Sequence, residues 1–359
     1  MLKQDYLIIG QGVAGSLLAW ELSRRHQRVL IVDDAHQGSS SIISAGIINP
    51  VTGKRLVIQE DYAIFFVQAL KVYRELESLL TQRFFEPMDI MRIFQNQEEQ
   101  DYWQRRMDTR EGQPYFLSGH PPGTVHPALK DPLGSVRVTQ SGFCHSTRLL
   151  TALKSYFTDQ NCLTRQRFTY DDVTVDEEGV RFGGDTFKAV IFCEGYQAQQ
   201  NPWFAGLPFN SVKGEILHVD MAGSPLPRMM INKGKWCAPL DHQRWTAGAT
   251  YQWDPLDSEP TTAGREQILA GLKQAFVNPV RVRDHKAGIR PVMKDQCAVL
   301  GRHPRCRQVG ILNGLGSRGF LTAPTFAARL ADHLCHDTPI REEWALDRFA
   351  GQLREGMPR

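Results

Sequence analysis

Residues 6–33 constrain this chain more than any other stretch. Tyr6, Leu7, Ile8 and Ile9 form an apolar run of strand length, which breaks on Gly10-Gln11-Gly12-Val13-Ala14-Gly15 before an apolar helical pattern through Leu17, Leu18 and Leu22. A second apolar run over 28–32 ends on Asp33, about twenty residues past the glycines. Strand, glycine turn, helix and acid-ended strand is the order of a dinucleotide-binding unit. Gly10 allows the tight turn, Gly12 lets the backbone approach a pyrophosphate, and Gly15 lets helix pack on strand. Val13 and Ala14 open the helix whose N-terminus faces the anion, and Asp33 stands where a ribose hydroxyl needs an acceptor. The plainer alternative is a glycine loop between buried elements, with Asp33 as a solvated strand end.

No second strand-glycine-helix unit follows Asp33, so the sheet must be completed by later segments. Residues 189–193 are an apolar run that stops at Glu194-Gly195, a further parallel strand with its carboxyl end at the ligand crevice. Residues 309–312 form another strand, breaking on Asn313-Gly314-Leu315-Gly316-Ser317-Arg318-Gly319 before a helix expected over 323–335. Residues 38–50 are too small and apolar for a solvated linker and leave backbone free to pass something flat, unless they are a plain connecting loop. Ala63, Phe66, Leu70, Tyr73, Leu76 and Leu80 stripe an amphipathic helix over 61–80, and Ser146 precedes a helix over 147–157 as its cap. Strands are expected at 163–170, 173–175 and 180–182. Residues 211–255 alternate like antiparallel sheet that could roof a pocket, with a helix over 263–276 behind them. Residues 84–140 carry no local motif. The expected fold is α/β: a Rossmann-like domain assembled from residues 1–83, 141–210 and 285–359, with an α+β, antiparallel-sheet substrate domain from 84–140 and 211–284.

Composition excludes several classes. Forty-two basic against 39 acidic side chains, net +3, supply no strong field for nucleic acid or membrane, although a local basic patch is compatible with that balance. The chain enters its first strand without a basic, apolar leader and has no apolar run of membrane-spanning length, which reads as cytoplasmic. Seven cysteines are scattered without CxxC spacing and eleven histidines make no HxxxH pattern, so neither a disulfide framework nor a metal site is expected.

Gly288-Ile289-Arg290-Pro291, Asp295, Gly301-Arg302-His303-Pro304, the glycine turn at 314–319 and Ala323-Pro324 resemble the D-amino-acid oxidase and glycine oxidase family of FAD enzymes. The likeness extends through Lys213-Gly214-Glu215 and Gly248-Ala249-Thr250. It also reaches the C-terminal flavin domain of the bifunctional enzyme that modifies the wobble uridine of tRNA, through Gly316 to Gly319 and Ala323-Pro324. The resemblance implies FAD held without a covalent bond, since Gly288 stands where sarcosine-oxidase relatives carry the attaching cysteine. It implies adenosine against Gly10 to Gly15 and Asp33, with Ser40, Ser41, Ala45, Gly46 and Ile47 along pyrophosphate and ring. Gly195 lies on the strand that returns to the cofactor domain, and Gly316, Ser317, Arg318, Gly319 and Phe320 offer donors near the flavin's pyrimidine end. Arg290 matches the arginine that grips a substrate carboxylate, and Trp236 and Tyr251 fall where pocket side chains sit. Lys54 and Arg55 are either contacts for a second anionic group or a solvated turn. No lysine near Thr246 matches the oxygen-activating lysine of sarcosine-oxidase relatives. The implied reaction is oxidation of the C–N bond of a carboxylate-bearing small amine by hydride transfer to flavin. Wobble-uridine oxidation on tRNA, 2-hydroxy-acid dehydrogenation and flavin binding without turnover are the rival readings.

Overall fold

Tyr6–Ile9 is buried at all four positions and pairs in parallel with Val29–Asp33 on one side and Ala189–Phe192 on the other. The structure is a computed structural model describing residues 4–35, 38–221, 226–241 and 243–353. Leu163–Arg165 and Cys306–Asn313 extend the sheet in parallel, and Val299–His303 closes it antiparallel to Cys306–Asn313, giving six strands. Later segments therefore complete the sheet, as the absence of a second glycine unit after Asp33 required.

The helices in chain order are α1 (Val13–Arg24), the single turn α2 (Ser40–Ile43), α3 (Tyr62–Leu80), α4 (Gln97–Met107), α5 (Ser146–Asp159), α6 (Thr262–Ala275) and α7 (Gly319–His336). Tyr6, Ile8, Ile31, Ile191 and Leu312 face a layer of α1, α3, α5 and α7. Leu7, Ile9, Val190, Phe192 and Ile311 face a three-stranded sheet (Thr174–Asp176, Gly179–Phe182, Asp185–Phe187) together with Trp203 and Phe204. Burial on both faces is why these strands are apolar runs rather than alternating ones.

α7 begins at Gly319, four residues before the expected start, and carries Pro324 inside it. Proline has no N–H for the carbonyl four residues back, which here is that of Phe320. The hydroxyl of fully buried Tyr73 donates to this carbonyl at 2.5 Å, so a side chain of α3 replaces the missing helical bond.

The second body is an eight-stranded sheet in the order Val280–Arg290, Val212–Met221, Arg244–Gly248, Lys235–Pro239, Met230–Lys233, Ile90–Ile93, Ser135–Val138 and Phe116–His120. α6 packs on one face of it. Buried Glu215 fixes the start of α6, accepting from Thr261 N at 2.9 Å and Thr261 Oγ at 2.8 Å. Residues 84–140 supply its last three strands, where Ile90–Ile93 finds a parallel partner in Met230–Lys233, far away in sequence. The strand expected over 163–170 is shorter and ends at Arg165. Ser146 is the first residue of α5 rather than its cap, and its hydroxyl donates to Ser44 O at 2.7 Å, tying α5 to the stretch after α2. Among the described residues no helix is long and apolar enough to cross a membrane.

Candidate functional site

The helix N-termini of α1 and α7 open into one cavity between the carboxyl ends of the parallel strands and the eight-stranded sheet. It holds about 1010 Å³ of space, part of it open to solvent. Neither helix has an acidic residue in its first turn, so both termini present uncompensated N–H groups to an anion. The turn feeding α1 is built for this. Gly10 has φ +102, and a Cβ there would meet Cys193 O at 2.6 Å; a Cβ on Gly15 would overlap the Gly10 carbonyl. Gly12 differs, because a Cβ there would meet only Ser41, at 3.1 Å from its Oγ. That hydroxyl accepts from Val13 N at 3.1 Å.

Gly12, Val13, Ala14, Ser40, Ser41, Ala45, Gly46, Ile47, Gly195, Gly316, Ser317, Gly319 and Phe320 all line the cavity, with Trp236, Tyr251 and Arg290 on the opposite side. Gly10, Gly15, Asp33 and Arg318 do not. Gly10 and Gly15 shape the turn from behind. Asp33 ends its strand and accepts from Gln11 N and Ala35 N, each at 2.7 Å, which orients the carboxylate beside the glycine turn. The Arg318 side chain leaves the site, donating to Gln296 O at 3.0 Å, so only its backbone belongs to the α7 turn. Lys54 and Arg55 are exposed on a hairpin tip outside the cavity lining.

The lining also includes residues that no local signal marked. Asn313 donates to Gly195 O at 2.8 Å and accepts from Gly314 N at 2.8 Å, bracing one glycine turn on another. Gly214 and Gly288 are directly paired on adjacent strands of the roof. α2 lies over Gly288, whose absent Cβ would meet Ile43 Cδ1 at 3.1 Å, and a Cβ on Gly214 would fall inside the Arg290 guanidinium. Two glycines at one register position leave a flat platform, and that pairing is set by the sheet rather than by any local pattern.

Among the described residues, Arg290 is the only charged one lining the cavity. Its guanidinium lies on Gly214, faces the Tyr251 ring with 4.7 Å to the centroid, and donates to Thr250 O at 3.3 Å. No carboxylate of the described residues pairs with it. Burial pulls its pKa down from the ordinary arginine value, with Tyr251 opposing, yet guanidinium stays charged. Lys235 bonds the neighbouring carbonyl, Ala249 O, at 2.6 Å, and its pKa is lowered by burial and then by the charge of Arg290. The cavity side of the roof thus carries positive charge with no acid among the described lining residues to offset it, and a bound carboxylate would supply the missing charge.

Beside the Gly10 turn, Glu194 accepts from Asn201 Nδ2 at 2.8 Å and from Tyr170 Oη at 3.1 Å. Burial outweighs these bonds and raises its pKa to about 7.

The arrangement suits an extended dinucleotide with a flat ring: an anion seat at α1, an acid beside it, a small-residue channel, and a second helix N-terminus at the far end. Comparison with known proteins agrees. The family model described as FAD dependent oxidoreductase matches residues 5–333. An uncharacterized oxidoreductase of Bacillus subtilis, YurR, is 25% identical over 91% of this chain and 94% of its own. Glycine oxidase of Bacillus licheniformis is 27% identical over 42% of this chain and 41% of its own. Among solved structures, glycine oxidase from Geobacillus kaustophilus has the same fold, with a TM-score of 0.80 at 20% identity and full coverage of both chains.

Proposed function

This chain belongs to the family of FAD-dependent oxidoreductases, and from that premise we propose that it oxidises the C–N bond of an amine bearing a carboxylate, an amino acid or an N-substituted glycine. The observation that carries this reading is Arg290, half-buried and, among the described residues, without an ion pair and alone in charge in the cavity lining. Two of the similar proteins are glycine oxidases, a name that states an amino acid as the substrate. When bound, FAD supplies the two-electron acceptor, taking a hydride from the carbon beside the nitrogen.

Val13 N and the α1 terminus would hold the pyrophosphate, Asp33 would take the ribose hydroxyl, and the backbone of 316–320 would donate toward the ring's pyrimidine end, where reduction leaves negative charge. Arg290 grips the substrate carboxylate in two parallel hydrogen bonds, which sets the face the reacting carbon presents. Trp236, Ile216 and Ala249 keep water from the reacting centre. Among the described residues no carboxylate, histidine or lysine lines the cavity, and the Cys193 thiol is pushed far above its ordinary pKa by burial. With no side-chain base at hand, the substrate amine must arrive neutral, and water then hydrolyses the resulting imine.

The test is anaerobic mixing of the FAD-loaded protein with a panel of amino acids, N-alkyl glycines and 2-hydroxy acids, following the loss of oxidised-flavin absorbance. Reduction by amines and not by hydroxy acids supports the proposal. Reduction by hydroxy acids alone, or only by tRNA carrying the N-carboxymethyl amine, replaces it, and no reduction by any of them makes this a flavin-binding protein without turnover.

A further inference from the structure

On the far side of the helical layer, α1 and α3 each pack on α7 far more than on each other, and a groove of about 1570 Å³, counted out to open solvent, runs between them. Its floor is Thr325, Ala328, Arg329 and Asp332 of α7, spaced i, i+3, i+4 and i+7. One wall is Ile64, Val67, Gln68 and Lys71 of α3, spaced in the same way. Each stripe spans seven residues, roughly 11 Å or two helical turns. Three helices therefore offer one continuous face with the period of a fourth.

Three independent features mark this face as unfinished. Val67 is 66% exposed and Ile64 56%, and Val67 is the most exposed of the large apolar side chains on the described surface. Thr325 is only 5% exposed, yet its hydroxyl has no hydrogen-bond partner. The acids of the groove are already engaged, Glu21 and Asp332 both pairing with Arg25. Lys71 and Arg329 have no ion pair among the described residues. What remains unmatched is apolar and cationic. A lipid surface would need these apolar groups on a convex face, whereas here they line a concavity with buried polar atoms in it.

We propose that this groove docks an acidic amphipathic helix of another protein, with its apolar stripe on Ile64, Val67 and Ala328 and its carboxylates against Lys71 and Arg329. The site is separate from the cofactor cavity and independent of which substrate is oxidised there.

The test uses the FAD-loaded protein and a fluorescein-labelled helical peptide with leucines at i, i+3, i+4 and i+7 flanked by glutamates, beside a twin with lysines for the glutamates. Anisotropy should show saturable binding of the acidic peptide and at least tenfold weaker binding of the twin. Val67→Glu and Ala328→Trp, which add charge and fill the floor, should each weaken the acidic peptide at least tenfold while retaining bound flavin. Equal affinity for both peptides, or for wild type and both variants, overturns the proposal. So does a dimer by light scattering that Ala328→Trp dissociates, which assigns the groove to a second copy. Co-sedimentation with phosphatidylglycerol vesicles that Val67→Glu abolishes overturns it in favour of a lipid surface.

Discussion

Replacing Arg290 by alanine removes the one charge that the described residues place in the cavity lining. The guanidinium uses a single hydrogen bond, to Thr250 O at 3.3 Å, so most of its five N–H donors stay free for a ligand. Gly214 beneath and the Tyr251 ring above hold the fork in one plane. A carboxylate arriving there meets a preorganised bidentate partner and no competing acid. Losing that pair in a partly desolvated site costs about 2–5 kcal/mol, or roughly 30- to 4000-fold in affinity. Arg290→Lys should recover little, because an ammonium cannot present the planar fork. The assay is a titration of each FAD-loaded protein with benzoate or glycolate, read from the perturbation of the flavin spectrum. Flavin content should stay near wild type, since the anion seat and the α7 turn lie on other elements. Equal carboxylate affinity in wild type and Arg290→Ala refutes the assignment, and loss of the flavin itself means that Arg290 supports the fold instead.

Gly214→Ala should push the guanidinium off its platform and weaken benzoate by about tenfold to a hundredfold with flavin retained, whereas unchanged affinity means the platform is not needed. Gly12→Val should fold, because its Cβ meets only Ser41, yet bind FAD at least about tenfold more weakly, measured by flavin content after dialysis; Gly15→Val, driven into the Gly10 carbonyl, should fail to fold. Glu194 should make stability fall as pH rises. Its folded pKa of about 7 lies above the ordinary 4.5, so between these values the folded state holds a proton that the unfolded chain has released. The cost grows to about 3 kcal/mol at most by pH 8. Glu194→Gln, which can keep the contacts with Asn201 and Tyr170, should gain stability over wild type across that window and none below pH 4, and parallel thermal melting profiles would contradict this.

What could be read from the sequence were the elements whose cause is local. The turn from Gly10 to Gly15 is set by sterics among neighbours, and Tyr6–Ile9 and Ala189–Phe192 announce two-sided burial by being apolar throughout. The spacing in Gly288 to Pro291 brought Arg290 forward through resemblance. What was hidden depends on distant partners. The start of α7 was misplaced because Pro324 looks like a boundary, and only Tyr73, contributed by a different helix, makes it tolerable. Ile90–Ile93 has no local strand context without Met230–Lys233 beside it. Gly214 is an ordinary strand glycine until Arg290 is seen lying on it.

The most direct test of how this site works is a crystal structure of the FAD-loaded protein with glycolate. The expected result has the cofactor pyrophosphate at Val13 N beside Ser41, the ring between residues 43–47 and 316–320, and the glycolate carboxylate on both terminal nitrogens of Arg290. Glycolate bound away from Arg290, or a flavin ring outside that channel, would contradict it.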